Sequence, residues 1–252
     1  MDQFVISSAK DGVGWLTLSD PDRLNPVTFE RIRQINEAAA GMSARDDVHV
    51  VVITGAGRAF CAGADLSGGD TFLSDDAPPA SGSIADADGL WTLAAMRQPV
   101  IAMINGPAVG YGFELALQAD IRIAASSARL GHPAVKLGTI TDTGAATWLL
   151  PRLVGWGVAA EILLTGQLYG ADEALSMRLV NHVVPDEALH EFTQRMAGAI
   201  AANSPWALRA TKALLFQALQ ESAHASVLRQ FMKVNQRDLS YDPSPHVARF
   251  RS

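Results

Sequence analysis

Alternating apolar and polar positions at the start of this 252-residue chain predict a β-hairpin. Residues 4–8 and 14–19 form its strands, and Lys10-Asp11-Gly12 form its turn. In the second strand, WLTLS alternates as a half-buried strand does. Thr28 then caps a predicted helix from Phe29 to about Ser43, because a threonine hydroxyl accepts a hydrogen bond from the first helical turn.

Two continuous apolar runs, residues 48–54 and 99–104, predict strands buried on both faces. A helix over 112–118 and a short strand over 120–124 follow the second run. Residues 144–202 are predicted to be mainly helical around a strand at 179–184. A helix after Ser204-Pro205 and another from about Glu221 complete the chain. Strands that alternate with helices, followed by a helical C-terminal third, predict an α/β fold.

Residues 67–89 are rich in Gly, Ser, Asp and Pro and contain few apolar side chains. Such a segment predicts a surface loop that acts as a lid or a specificity element, and plain disorder is the alternative.

Composition limits the classes of function. Apolar residues make up 48% and charged residues 18% of the chain, and the net charge is −6, which argues against a nucleic-acid partner. A single cysteine, Cys61, excludes an internal disulfide and fits a reducing compartment. The N-terminus lacks the pattern of a secretory signal, and no apolar run reaches about 18 residues. We therefore expect a cytoplasmic protein with no membrane partner.

Both segments that indicate chemistry are small-residue loops after a predicted buried strand. The first is TGAGRAFCAGADL (54–66), and the second is NGPAVGYGFELALQAD (105–120), a glycine turn that opens a helix. Small residues allow the backbone to approach a ligand, and a helix N-terminus offers unpaired N–H donors. Two such loops on adjacent strands can hold one carbonyl oxygen between them, which is the geometry of an oxyanion hole.

These two loops resemble the signatures of the crotonase (enoyl-CoA hydratase/isomerase) superfamily. The resemblance extends over nearly the whole chain, through RLNP upstream and four blocks downstream: TWLLPRLVG, ILLTGQ, ADEAL with LVNHVVP, and SPWALRATK. Each block alone is weak evidence, whereas their joint order and spacing are strong evidence.

The resemblance implies a fold of stacked ββα turns. It implies a core over 1–195 that binds acyl-CoA and a helical region over 196–252 that builds a homotrimer or a dimer of trimers. It also implies a CoA thioester substrate, with no metal or other cofactor. By position, the N–H groups of Ala64 and Tyr111 are the oxyanion donors, each worth roughly 3–4 kcal/mol. The implied substrate-binding residues are Arg23, Leu24, Ala62, Asp65, Leu66, Gly110 and His132.

The chain departs from the family pattern at Gly110-Tyr111-Gly112, where the family usually has three glycines. The tyrosine keeps the N–H donor and adds a bulky ring. That ring either shapes the acyl pocket or turns into the core or an interface.

A second departure concerns the pair of catalytic glutamates. Glu114 stands at the first glutamate position, after the glycine turn, whereas the second position, after Pro133, is Ala134. Hydration needs one group to activate water and another to protonate the α-carbon, but one carboxylate can shift a double bond. The reduced pair therefore favours isomerisation over hydration. Glu114 would also interact favourably with the helix dipole without any catalytic role.

Asp142 is a candidate replacement acid. It stands where isomerase-like relatives carry an aspartate before a TWLLPR-like block, although the match needs one extra residue in this chain. The alternative is that Asp142 caps the next helix. His132 can reach the same site, although a lone histidine near a strand end is more often structural.

Other charged and nucleophilic residues have less specific patterns. Asp65 is expected to fix the loop locally, and Cys61 to pack in the core. Arg23, Arg58 and Lys212 are candidate phosphate contacts, and the alternative for each is an ordinary solvated charge.

Two competing hypotheses belong to other classes. VVITGAGRAF resembles a dinucleotide-binding loop, but it follows a later strand, and no tyrosine has a lysine four residues on. A catalytically weak acyl-CoA-binding scaffold stays open, because Ala134 and Tyr111 both depart from the family pattern.

Overall fold

The apolar runs form the centre of a six-stranded sheet. Its strands are β1 (Val5–Lys10), β2 (Val13–Leu18), β3 (Val50–Gly55), β4 (Val100–Ile104), β6 (Ile121–Ala125) and β9 (His182–Val184). They lie in the order β1-β2-β3-β4-β6-β9. The β1–β2 hairpin is antiparallel, as predicted, and all other neighbours are parallel. This computed structural model describes residues 3–66, 91–141 and 146–247, apart from the Pro245 side chain.

A smaller sheet lies beside the first. It contains β5 (Ala108–Val109), β7 (Arg129–Gly131) and β8 (Tyr169–Gly170), with β7 in the middle. β5 and β7 are parallel, and β7 and β8 are antiparallel. The apolar pattern does not predict these strands, because two or three residues are too few to show an alternation.

Helices cover both faces of the large sheet, so its central strands carry apolar side chains on each side. Within β3, Val51 and Ile53 belong to one core, and Val50 and Val52 belong to the other. The first core includes residues of α1 (Phe29–Ala44) and α2 (Tyr111–Leu117). The second is covered by α6 (Leu189–Ala201). The prediction of strands buried on both faces is confirmed.

Helix starts agree closely with the predicted capping residues. The Thr28 hydroxyl accepts a hydrogen bond from the Arg31 N–H at 3.2 Å, and α1 begins at Phe29. α7 (Pro205–Ala218) begins after Ser204, and α8 (Ala223–Val234) begins after Ser222. A short α9 (Ser244–Val247) follows.

The mainly helical segment is more divided than its pattern predicts. It contains α3 (Ala146–Val154), α4 (Trp156–Thr165) and α5 (Ala171–Ser176) before α6. The predicted strand over 179–184 is correct only for its last three residues. Leu179 and Val180 are buried, but their N–H groups donate to the Ala174 carbonyl at 2.8 and 3.3 Å, in a turn that ends α5.

The C-terminal helices are joined to the sheet by a buried cation. The Lys212 ammonium group on α7 lies 2.8 Å from the Asp120 carboxylate and donates to the Leu93 and Gln98 carbonyls at 3.2 and 3.0 Å. Only 7% of Lys212 is exposed. The hypothesis that Lys212 contacts a phosphate is therefore wrong, since its donors are engaged inside the protein. The predicted domain boundary at residue 195 falls within α6, which packs on the sheet.

Candidate active site

The two small-residue loops meet directly, as their positions after β3 and β4 predict. The Cys61 N–H donates to the Pro107 carbonyl at 3.1 Å, and the Val109 N–H donates to the Cys61 carbonyl at 2.9 Å. Glycines allow this approach. A Cβ atom on Gly63, whose φ is +92°, would lie 2.7 Å from the Val109 carbonyl oxygen. A Cβ atom on Gly112 would lie 2.3 Å from the Cys61 carbonyl oxygen.

The segment before α1 holds the other side of the first loop. The Val27 N–H donates to the Gly63 carbonyl, and the Asp65 N–H donates to the Val27 carbonyl, both at 2.8 Å. The Ala62 N–H donates to the Leu24 carbonyl at 3.0 Å. Backbone hydrogen bonds on both sides therefore fix the loop around Ala64, and Leu24 and Ala62 contribute through their main chains.

At this junction, the N–H groups of Ala64 and Tyr111 donate no backbone hydrogen bond within the described part of the chain. Each follows one of two glycines that approach closely, since a Cβ atom on Gly110 would lie 3.8 Å from the Gly63 Cα. The Gly110 N–H itself donates to the Gly131 carbonyl at 3.1 Å. Tyr111 is the first residue of α2, where an N–H has no partner inside the helix. Both predicted oxyanion donors thus lie at one junction and are available.

Glu114 lies one turn into α2, with no exposed surface. Its N–H donates to the Gly110 carbonyl at 3.1 Å, and its Oε1 accepts from the Ala146 N–H, the first of α3, at 3.3 Å. A charged hydrogen-bond acceptor in a buried site is electrostatically strong, because little water screens it. The carboxyl group is therefore anchored to the start of α3, one helical turn along α2 from Tyr111.

His132 approaches Glu114 from the small sheet. It follows β7 directly, and its Nε2 lies 3.9 Å from the Glu114 Oε1. Burial lowers the pKa of His132 to about 4, so the imidazole is neutral near pH 7. Neither ring nitrogen has a hydrogen-bond partner among the described residues. The pair is thus neither an ion pair at neutral pH nor a direct hydrogen bond.

Tyr111 packs inside the protein. The residue is 4% exposed and belongs to the same core as Val51 and Ile53. Burial raises the pKa of its hydroxyl, and the nearby Cys61 and Glu114 raise that pKa further. Of the two alternatives for the ring, the structure supports a place in the core, next to the site.

Several predicted substrate-binding residues line one surface cleft. Its walls contain Arg23, Pro26, Ala62, Ala64, Asp65 and Leu66. The Arg23 guanidinium lies 2.5 Å from the Asp65 carboxylate, and its side chain is 45% exposed. Asp65 therefore fixes the loop through Arg23 rather than through local N–H groups alone. Arg23 remains close enough to solvent to contact a ligand.

Sequence reasoning missed Asn25, a fully buried residue beside this cleft. Its Nδ2 donates to the carbonyls of Ala56 and Ala59 at 3.0 and 2.9 Å, and its Oδ1 accepts from the Asp20 N–H at 2.8 Å. Asn25 therefore organises the start of the first loop. The Asn-Pro dipeptide is a turn signal in the sequence, but that signal does not show which loop the side chain binds.

The remaining candidates differ in what the structure shows of them. Cys61 is fully buried, and burial raises the pKa of its thiol to about 12, as expected for a packing residue. Ala134 is buried and supplies no carboxylate. Asp142 and the predicted loop over 67–89 lie outside the described residues.

Among residues 3–66, 91–141 and 146–247, no three His, Cys, Asp or Glu side chains are grouped to hold a metal ion. Within the same ranges, no helix has the length and apolar character needed to cross a membrane.

Comparison with known proteins assigns the family. The model of the enoyl-CoA hydratase/isomerase family matches residues 8–242. The Mycobacterium tuberculosis protein named probable enoyl-CoA hydratase EchA14 is 40% identical over 198 residues, 79% of this chain and 76% of that protein. The 1,2-epoxyphenylacetyl-CoA isomerase of Escherichia coli is 37% identical over 210 residues, 82% of this chain and 80% of that protein.

Solved structures agree with this assignment. The crystal structure of enoyl-CoA hydratase from Bacillus anthracis matches 99% of this chain and 96% of its own, at 30% identity and a TM-score of 0.87. The chain therefore belongs to the enoyl-CoA hydratase/isomerase family, is an enzyme of that family and has the crotonase fold. The resemblance found in its loops is confirmed.

Proposed function

We propose that this enzyme acts on an acyl-CoA thioester through an enolate that the Ala64 and Tyr111 N–H groups stabilise. The observation that carries the proposal is the junction itself. Two N–H groups without a backbone acceptor among the described residues follow the closely approaching Gly63 and Gly110, and a buried carboxyl group lies one helical turn from the second of them. Donors that are fixed before the reaction stabilise developing negative charge without reorganisation. Coenzyme A enters as part of the substrate, past Arg23 and the cleft beside Leu66.

Glu114 then moves the proton at the α- or γ-carbon, with Asp142 as a proposed helper. Isomerisation of a double bond is favoured over hydration, because the position of the second glutamate is occupied by Ala134. A single carboxylate can remove a proton from one carbon and return it to another, whereas hydration distributes two tasks between two groups.

The decisive experiment replaces Glu114 and identifies the product. Purified enzyme is incubated with enoyl-CoA thioesters of varied chain length and ring content in H₂¹⁸O. We expect a shifted double bond without solvent oxygen, and a loss of about 10²–10⁴-fold in kcat for Glu114→Gln. Glu187→Gln, at an exposed position before α6, is the matched control and should keep full activity. Retained turnover in Glu114→Gln contradicts the assignment.

Hydration is the second candidate function. A relative named probable enoyl-CoA hydratase, 40% identical over 198 residues, supports it. Incorporation of one ¹⁸O atom into the product identifies it. A third candidate, an acyl-CoA-binding scaffold, is favoured by the losses at Ala134 and Tyr111. That candidate predicts thioester binding without turnover, and neither Glu114→Gln nor Asp142→Asn would then change any rate.

We also propose that the C-terminal helices build a homotrimer or a dimer of trimers. Leu215 on α7 and Phe231 and Met232 on α8 are each about two-thirds exposed, an unusual density of large apolar side chains. The molar mass from light scattering tests this assembly. The cytoplasmic location stays a prediction from the sequence.

A further inference from the structure

His132 is a buried polar residue that has no hydrogen-bond partner in the described part of the chain. Only 5% of the residue is exposed, and both imidazole nitrogens are left without a donor or acceptor there. A neutral imidazole carries one N–H donor and one acceptor. Buried polar groups are almost always hydrogen-bonded, so an orphaned pair of this kind indicates an additional ligand.

The backbone fixes His132 beside the proposed reaction site. Its neighbour Gly131 pairs with Val109, and the Gly131 carbonyl accepts the Gly110 N–H at 3.1 Å. His132 therefore follows the strand that pairs with the start of α2. One helical turn further along α2, the Glu114 carboxylate reaches to 3.9 Å from the His132 Nε2.

A separation of 3.9 Å is too long for a direct hydrogen bond but suits a bridge. One oxygen atom at ordinary hydrogen-bond distance, about 2.8 Å, from both groups spans such a gap. The third feature is Ala134, two residues on, which supplies only a methyl group where the family pattern has a glutamate. A polar group thus lies next to the position from which a carboxylate is missing.

We propose that His132 and Glu114 together bind one oxygen atom next to the reacting carbons of the acyl group, so that His132 takes over part of the role of the missing glutamate. The oxygen comes from a water molecule or from an oxygen substituent of the acyl group. The inference rests on the proposed acyl-CoA site, but not on the choice between isomerisation and hydration. A bound water would return part of the hydration capacity that Ala134 removes.

The test compares two substitutions of similar volume. His132→Leu removes both polar atoms, whereas His132→Gln keeps an amide nitrogen near the position of Nε2. We expect His132→Leu to lower kcat by about 10²-fold with little change in KM, as for the loss of one preorganised donor. His132→Gln should recover at least a tenth of the wild-type kcat. His190→Leu, at an exposed position on α6, is the control and should leave kcat unchanged.

Thermal unfolding separates this role from a structural one. No protein group among the described residues bonds to the imidazole nitrogens, so His132→Leu breaks no hydrogen bond within the protein and should keep or raise the Tm. Wild-type kcat in His132→Leu would overturn the proposal. A lower Tm together with an equal loss of kcat in His132→Leu and His132→Gln would also overturn the proposal, since His132 would then serve only the fold.

Two further measurements identify the source of the oxygen atom and test the inference separately from the proposed function. If the ¹⁸O content of the product formed in H₂¹⁸O is lower with His132→Leu than with wild type, the bound oxygen is that of a water molecule. A preference for hydroxylated, epoxide or keto acyl-CoA over the matched hydrocarbon thioester, lost in His132→Leu, identifies the acyl group. If neither readout responds to the substitution, the oxygen-binding role is wrong. Activity retained in Glu114→Gln rejects the proposed function itself, whereas an inactive Glu114→Gln with a fully active His132→Leu rejects only this inference.

Discussion

One half of the candidate site is built from main-chain groups, and the other half is built from side chains. The proposed oxyanion half consists of main-chain N–H groups at Ala64 and Tyr111, which paired loops and close glycines hold in place. The proposed proton-transfer half consists of the side chains of Glu114 and His132, together with the methyl group of Ala134.

This difference shows which half of such a site can change. A substitution at Tyr111 keeps the backbone donor, because every residue other than proline carries an N–H. By contrast, alanine at position 134, where the family pattern has a glutamate, lacks the carboxyl group that would transfer a proton. One scaffold can therefore stabilise enolates throughout a family while the proton chemistry differs from member to member.

The oxyanion half should be disrupted when the close approach of the two loops is blocked. In Gly112→Ala the new Cβ atom would lie 2.3 Å from the Cys61 carbonyl oxygen and 2.7 Å from the Cys61 Cβ. We expect the free energy of unfolding to fall by about 3 kcal/mol or more, and turnover to be lost, because paired backbones on both sides prevent relaxation. Urea denaturation measures the change.

A matched glycine provides the control. Gly198 lies within α6, and a Cβ atom added to it would meet no neighbouring atom within 4 Å. Gly198→Ala should therefore stabilise the protein by about 0.5–1 kcal/mol, because alanine loses less backbone freedom than glycine in a helix. Equal stability of the two alanine variants would show that the loop approach at Gly112 is not tight.

The side-chain half should respond to pH through His132. Its pKa is lowered to about 4 in the folded protein, against an ordinary value of about 6.5. Between these values the unfolded chain binds one more proton, so stability is fully present above about pH 6.5 and is lost as the pH falls toward 4. The loss from this group is about 3 kcal/mol at most.

Urea denaturation at pH 7 and pH 4.5 measures this contribution. The difference in unfolding free energy between the two pH values should be smaller in His132→Gln than in wild type, because glutamine does not titrate. His190→Gln controls for the loss of an exposed histidine. An identical pH dependence in wild type and His132→Gln would contradict burial as the cause.

The smallest predicted effect concerns the missing carboxylate. Ala134→Glu places a second acid at a buried position, two residues after His132 in the chain. We expect the ratio of hydrated to isomerised product to rise by about tenfold, which corresponds to about 1.4 kcal/mol between the two barriers. Ala134→Gln, which has nearly the same volume without an acid, is the control. Product analysis in H₂¹⁸O measures the ratio, and an equal ratio in the two variants contradicts a catalytic role for position 134.

The extent to which the sequence predicts the fold differs between elements. The runs over 48–54 and 99–104 predict the central strands, because burial on both faces requires unbroken apolar residues. Thr28, Ser204 and Ser222 mark helix starts through local side-chain hydrogen bonds. The strands β5, β7 and β8 leave no such local signal, since pairing with distant partners alone defines them.

The candidate site divides in the same way. Its two loops and Glu114 are predictable from residue types in order, because close backbone contact demands glycine and proton transfer demands an acid. The sequence does not predict that Lys212 engages Asp120, nor that Asn25 donates hydrogen bonds to the first loop. Both depend on residues 31 to 119 positions away, and no local pattern encodes such a distance.

The sequence by itself determined the family and the α/β fold, because those features follow from motifs and periodicities that are local along the chain. It also predicted the positions of the two main-chain donors. Only the tertiary structure decided that Tyr111 turns into the core and that Lys212 is internal. It alone also decided that His132, which has no hydrogen-bond partner among the described residues, lies 3.9 Å from Glu114. These outcomes depend on which neighbours surround each side chain after folding. That property belongs to the packed molecule, since the hydrogen bonds of a buried group are decided by neighbours that come from elsewhere in the chain.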